Sequence, residues 1–392
     1  MTMDDDTQMT EENAVFETTS GEFVPPSIDE HVLLSGASYS HYSPVPSCLL
    51  APTASVTNDT TDGDASGGPL AEAVPCVLGV DEAGRGPVLG PMVYGVFYAP
   101  VDLADALLRG EAPDADRDAV TGAPHRFDDS KVLSAAVRST LMATVCRSGS
   151  KLHSNCGWAV ELLSARDIGA GMMSPTAAAG NLNAQAAEST VGLIRGVLAR
   201  GVRVTDVYVD TVGPPASYQK KLERYFPGLR ITVSKKADSI YPCVSAASVC
   251  AKVTRDVALE VLYKRYADAL ATTEGAAGAA GAATTPSWGS GYPSDARCTA
   301  WLRRNMHPLF GWGPECRFSW STAKDMLEDS KKNGGVQVDW PEPDEDTPDN
   351  EFAVTRMTDF FTASAAAKNA DDEDVVDELG SWFGQPVGTE VF

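Results

Sequence analysis

Four carboxylates stand at positions where an α/β chain could do hydrolytic chemistry. Asp81 and Glu82 close the apolar run Val77-Leu78-Gly79-Val80 and lead into Ala83-Gly84-Arg85-Gly86-Pro87. Asp210 closes a second run, VTDVYVD, just before Thr211-Val212-Gly213. Asp238 follows a third run, 230–234, and the pair Lys235-Lys236. Ligand sites in open α/β sheets collect at such strand ends. Burying adjacent carboxylates is unfavourable unless a cation sits between them. An oxygen-only donor set without His or Cys calls for Mg²⁺ or Mn²⁺. Two such ions about 4 Å apart suit phosphodiester hydrolysis. Each Asp singly is more often a cap or turn residue; that reading weakens for all four together.

The glycine loop narrows the choice. Gly84-x-Gly86-x-x-x-Gly90 does not have the G-x-G-x-x-G spacing, and no G-K-[ST] follows, so a nucleotide-binding loop is excluded. A plain hairpin turn with solvated acids fits the loop taken alone. Neighbouring strand residues point to opposite faces. For both acids to serve one site, the strand is expected to end at Asp81 with Glu82 already turning. The glycines would let backbone N–H groups approach a ligand.

The elements that must position these groups follow from periodicity. Strands are expected at Cys76–Asp81, Met92–Tyr98, Gly157–Leu163, Val204–Val209 and Arg230–Ser234, the first two as a hairpin. Helices are expected from the opening stretch Asp129–Ser134 to about Arg147, and over Ala177 to Arg200, Ser217 to Phe226, Pro242 to Ala267, Ser294 to Met306 and Ser321 to Lys331. Residues 101–126 read as a polar surface excursion. The fold class is therefore α/β, with a mixed sheet that starts in an antiparallel hairpin. On the helix after Asp238, Ser245, Ser248, Lys252 and Asp256 fall on one face, suited to backbone phosphates or simply to water.

Charge separates the tails from the core. The chain has 392 residues and a net charge of -23, yet residues 1–74 hold 13 Asp/Glu and no Lys or Arg, and residues 336–392 hold 15 against 2. Residues 75–335 are left at +3, compatible with a nucleic-acid partner. Both acidic tails are read as disordered. The expected division is 1–74 as N-terminal tail, 75–270 as catalytic domain, 271–335 as an insertion loop with a helical extension, and 336–392 as C-terminal tail. No apolar run approaches the roughly 20 residues needed to span a bilayer. No signal peptide or mitochondrial presequence begins the chain. The 8 cysteines form no C-x-x-C, which argues against zinc and for a reducing compartment.

DEAGRGP (81–87), DSK-x-L (129–133), KAD (236–238), SAAS-x-CAKV-x-RD (245–256) and SGYPSD (290–295) occur in that order. Together they resemble the type 2 ribonucleases H, and most closely the eukaryotic catalytic subunit. The resemblance covers about 75–330. It implies a ribonuclease H-like fold with a five-stranded mixed sheet flanked by helices and a helical C-terminal extension. It implies cleavage of RNA in RNA/DNA hybrids and incision at single ribonucleotides in duplex DNA. Asp81, Glu82, Asp210 and Asp238 would be the catalytic, metal-binding acids. Gly84, Arg85 and Gly86 would contact the ribose 2′-OH, Tyr292 would pack on the sugar at the RNA–DNA junction, and Lys131 would contact phosphate. The resemblance further implies two non-catalytic partner subunits in a heterotrimer and a nuclear location. Residues 354–361 (VTRMTDFF) resemble a sliding-clamp-binding box with Val in place of Gln; a tail helix packed on the body or on a partner is the competing reading. Two rival functions stay open on sequence: a non-catalytic nucleic-acid-binding subunit of the same fold, and a sibling nuclease such as a type 1 ribonuclease H.

Overall fold

The computed structural model describes residues 23–51, 72–112, 115–117, 122–127, 133–173, 181–211, 213–274 and 288–328. The chain divides into two units, Met1–Gln337 and Val338–Phe392. The second unit lies outside the described residues, as do Lys131, the Gly/Ala-rich 275–283 and the clamp-like 354–361.

The first unit opens with helix α1 (Glu30–Leu34), whose first turn is capped by the Asp29 carboxylate accepting from Val32 N–H at 3.0 Å. Strand β1 (Tyr39–Tyr42) follows. The hairpin β2 (Pro75–Ala83) and β3 (Met92–Pro100) comes next, then helices α2 (Val101–Leu108), α3 (Ala135–Cys146) and α4 (Lys151–Asn155). Strand β4 (Gly157–Leu163), helices α5 (Ala165–Met173) and α6 (Leu182–Ala199), strand β5 (Arg203–Asp210), helix α7 (Pro215–Tyr225) and strand β6 (Arg230–Ser234) complete the sheet. Helix α8 (Pro242–Glu274) then crosses it, and α9 (Ala296–Arg304) and α10 (Ser321–Glu328) form the extension.

The sheet order is β1-β4-β3-β2-β5-β6. The β1–β4, β3–β4 and β2–β3 pairs are antiparallel; β2–β5 and β5–β6 are parallel. The sheet is mixed, as expected, but has six strands where five were read. The sixth is β1, inside the segment expected to be a disordered tail. Averaging composition over 74 residues hid a short stretch with Phe23, Ile28, Leu33, Tyr39 and Tyr42, all of which pack on or within the two cores. The polar excursion 101–126 likewise opens with α2, where Leu107 and Leu108 are buried. The 270/271 boundary falls inside α8, which runs seven residues beyond its expected end at Ala267.

Each face of the sheet carries its own core. On one face Val77, Val93 and Phe97 pack against Val244, Ala247, Cys250 and Ala251 of α8. On the other, Leu78, Val80, Val96 and Val207 meet Val191, Ile194 and Val197 of α6 and Leu222 of α7. Helix α8 lies so close to the sheet that a Cβ on Gly79 would sit 2.3 Å from the Cys243 backbone, and one on Gly95 2.6 Å from the Ala247 carbonyl oxygen. A third cluster, with Trp288, Trp301, Trp312 and Met326, closes on Val88 and Leu89 of the loop after β2 and on Leu259 of α8.

Candidate active site

The strand ends bring the acids together. Strand β2 runs to Ala83, with Glu82 still paired opposite Tyr94, so the expected stop at Asp81 is wrong by two residues. Both acids therefore lie within the last turns of the pleat, on opposite faces of the strand. Asp81 takes the α8 face with Val77 and Ala83, and Glu82 takes the α6 face with Leu78 and Val80. Parallel pairing sets Val80 opposite Val209, which brings Asp81 level with Asp210 on the neighbouring strand. By alternation Asp210 shares a face with Tyr208, which stacks on Tyr241 of the α8 side at 4.0 Å.

Lys236 takes the left-handed conformation at φ 57°, unique among the described non-glycine residues. Such backbone persists only where its surroundings hold it. It sends the next amide, Ala237 N–H, to the Asp210 carboxylate at 2.7 Å. Asp238 follows on the same turn and is 5% exposed.

The electrostatics show a cluster that repels itself. Burial first, then the Glu82 charge, pushes Asp81 well above the carboxylate range; the Ser248 hydroxyl works against the rise and Asp210 adds to it. Glu82 is pushed up to about 7 by burial, with Asp210 adding and Arg85 and Lys252 opposing. Like charges held together in a buried site raise one another's pKa, and a cation reverses this. Among the described residues no three His, Cys, Asp or Glu side chains are gathered into a ready-made metal cage. The fit to a divalent ion rests instead on the donor chemistry: oxygen ligands only, buried or half-buried, with Asp81, Glu82 and Asp210 mutually destabilising until a positive charge joins them.

Beside the acids lies a cleft of about 540 Å³, bounded by Glu82, Arg85, Tyr94, Asn183, Asp210, Tyr218 and Lys221. Arg85 reaches across it and donates to the Asn183 side chain on α6. Gly84 has φ +76°, and a Cβ there would meet the Pro91 carbonyl oxygen at 2.7 Å. A Cβ on Gly86 would lie 3.3 Å from the ring of Tyr292, so Tyr292 stands against the loop. The Arg255 guanidinium lies 5.7 Å from that ring's centre and donates to the Ser290 carbonyl at 2.6 Å.

Of the polar stripe on α8, Ser245 and Ser248 are buried and Ser248 is bonded to Asp81, so Ser248 faces the acids rather than a surface phosphate. Lys252 lies close enough to Glu82 to lower its pKa. Asp256 pairs with Arg138 at 3.7 Å and Arg255 at 3.2 Å.

Arg317 and Trp320 escaped the sequence reading. Arg317 is fully buried and donates to the carbonyls of Gly84 at 2.7 Å, Arg85 at 3.2 Å and Gly90 at 3.0 Å. Trp320 Nε1 donates to the Gly86 carbonyl at 3.0 Å. Burial, then the nearby Arg255, lowers the Arg317 pKa, while three carbonyl oxygens favour its charged form. Their only signal was the RFSW string (317–320), and no local pattern announces a partner more than 220 residues away.

A mixed sheet flanked by helices, with acids at the ends of its two central parallel strands, defines a ribonuclease H-like nuclease. The family model described as Ribonuclease HII matches residues 78–323. The chain belongs to the ribonuclease HII family and carries its ribonuclease H type of nuclease activity. It is 50% identical over 374 residues to a ribonuclease H2 subunit of Neurospora crassa, covering 95% of this chain and 98% of that protein, so the similarity reaches into the acidic tails. The corresponding protein of Schizosaccharomyces pombe is 45% identical, covering 72% of this chain and 76% of its own. The Bos taurus counterpart is 39% identical, covering 71% and 81%.

Proposed function

We propose that the chain hydrolyses the RNA strand of RNA/DNA hybrids and incises 5′ of single ribonucleotides embedded in duplex DNA, leaving 5′-phosphate and 3′-hydroxyl ends. The observation that carries this reading is the juxtaposition of Asp81, Glu82 and Asp210 with the loop 84–86. Asp81, Glu82, Asp210 and Asp238 would hold Mg²⁺ or Mn²⁺. Bound there as a pair, such ions activate a water and neutralise charge on the leaving oxygen.

The protein's own groups do the rest. Arg317 takes the carbonyls of Gly84 and Arg85 on one side of the loop. Across a trans peptide the N–H points away from the carbonyl, so the amides of Arg85 and Gly86 face the other way. There they can bond a ribose 2′-OH, the group that separates RNA from DNA. Tyr292, against Gly86, supplies a ring face for the sugar. Ser248 orients Asp81, and Lys252 tempers the charge on Glu82. Lys131 is assigned a phosphate contact by motif alone.

A hybrid-cleavage assay with Asp210→Asn tests the reading: turnover is abolished while the variant stays folded. Unchanged turnover would overturn it, and a wild-type chain inactive in Mg²⁺ together with its partner subunits would favour a binding module. Substrates carrying one ribonucleotide separate this enzyme from a type 1 sibling, which needs a longer RNA stretch. The relatives are named as subunits of ribonuclease H2, which supports two non-catalytic partners in a heterotrimer, and the substrate supports a nuclear location. Sliding-clamp binding through 354–361 is part of the same proposal; a 350–392 peptide with no affinity for the clamp would end it.

A further inference from the structure

Helix α7 carries a stripe that does not face the core. Ser217, Lys220, Lys221, Arg224 and Tyr225 follow the i, i+3, i+4, i+7, i+8 spacing that usually marks a buried face. Here the anchoring is done by Leu222, which packs into the α6-side core, and by Tyr218, whose hydroxyl bonds Thr190 Oγ1 at 3.0 Å. The five stripe residues line a shallow depression of about 410 Å³ on the surface. Ser217 and Lys221 also line the cleft that holds Glu82, Arg85 and Asp210. The depression and the cleft therefore share a wall.

The chemistry of the stripe is one-sided. It presents three cations and no carboxylate. The nearby Glu223 is off the stripe and accepts from Gln219 Nε2 at 2.9 Å. Tyr225 is 45% exposed, and Arg195 of α6 lies 5.3 Å from its ring centre, adding a fourth cation beside an aromatic face. A row of cations that leads out of a hydrolytic cleft fits a partner with regularly spaced negative charge. Backbone phosphates of a nucleic acid have that spacing, and they fix register without reading sequence.

We propose that the Lys220–Lys221–Arg224 ridge of α7 binds the sugar–phosphate backbone of the substrate duplex where it leaves the cleft. The inference rests on the nuclease reading of the acids, and Lys221 marks the junction between the two surfaces. The ridge adds affinity for duplex of any sequence and extends the footprint to one side of the cut.

The test is fluorescence anisotropy in EDTA, with the full-length chain and labelled duplexes carrying one central ribonucleotide. Lys220→Ala/Lys221→Ala/Arg224→Ala is expected to weaken binding about tenfold or more and to lower the slope of log affinity against log salt by about 2–3. A duplex trimmed so that it ends at the cleft should bind equally to the wild type and to Lys220→Glu/Arg224→Glu, which leaves the cleft-lining Lys221 in place. Lys220→Glu/Arg224→Glu, which spares Lys221, should weaken the long duplex further, with an unchanged thermal midpoint. Unchanged affinity and salt slope on the long duplex would overturn the proposal. Loss of a co-purifying acidic protein with duplex affinity intact would overturn it too, and assign the ridge to that protein. Wild-type cleavage in Mg²⁺, run alongside, isolates the premise: if it fails while the salt slope still responds, the nuclease reading falls and the ridge stands.

Discussion

Glu82 holds a proton at pH values where a free carboxyl has shed it, and this has a definite sign. Its pKa is 4.5 ordinarily and about 7 here, so between those values the folded chain binds more protons than the unfolded one. Stability from this group is present below about 4.5 and is lost as pH rises through 7. Asp81, shifted in the same direction, adds to the loss. A divalent cation must displace those protons. The chain in EDTA should therefore lose thermal stability from pH 6 to pH 8, and Mg²⁺ should raise its midpoint more at pH 8 than at pH 6. An equal or larger Mg²⁺ shift at pH 6 in differential scanning calorimetry would show that these acids do not receive the ion. Two glycines offer a second test. Gly86→Ala meets only the movable Tyr292 ring, so it should cut incision at a single ribonucleotide with little change in midpoint. Gly84→Ser combines φ +76° with the Pro91 carbonyl, so it should lose both selection and about 1–3 kcal/mol of stability. If Gly86→Ala leaves single-ribonucleotide cleavage at the wild-type rate, the loop does not read the 2′-OH.

Among the elements, α8 decides how well Asp81 is held. Its approach is permitted by Gly79 and Gly95, which leave no space for a methyl group between sheet and helix. Gly79→Ala should cost about 1–3 kcal/mol in urea unfolding and also lower kcat, because lifting α8 withdraws Ser248 from Asp81. A stability loss with kcat intact would separate packing from positioning. The same helix shows what the sequence could and could not disclose. Strands β4 and β6 were legible to the residue, since apolar runs bounded by Gly157 and by Arg230 and Ser234 leave little choice. Asp210 at the end of β5 was legible for the same reason. Helix α8 is buried nearly all round over Cys243–Ala251, so period alone leaves Ser248 open between phosphate and water, whereas the fold sets it against Asp81. Lys236 gave no sign of its left-handed turn, because the restraint comes from Asp210 across the sheet.

Across the whole molecule the first described residues matter more than their composition implied. Strand β1 covers the free edge of β4, Ser27 Oγ bonds Thr254 Oγ1 of α8 at 2.8 Å, and Ser38 donates to Asp167 at 2.6 Å. A chain begun at residue 72 should expose the β4 edge and aggregate, or melt well below the full-length protein in a thermal scan; an equal midpoint would make the segment dispensable. The extension has a consequence of another kind. Strand β2 leaves the ribosome early, yet the carbonyls of its loop wait for Arg317 and Trp320, partners made 227 to 234 residues later. A message cut short after α9 would encode the whole sheet and every acid, but none of the clasp that aims the two amides. On the proposed reading such a product would keep its acids and lose its preference for ribose, because the clasp on the loop is made only after every acid is already in the chain.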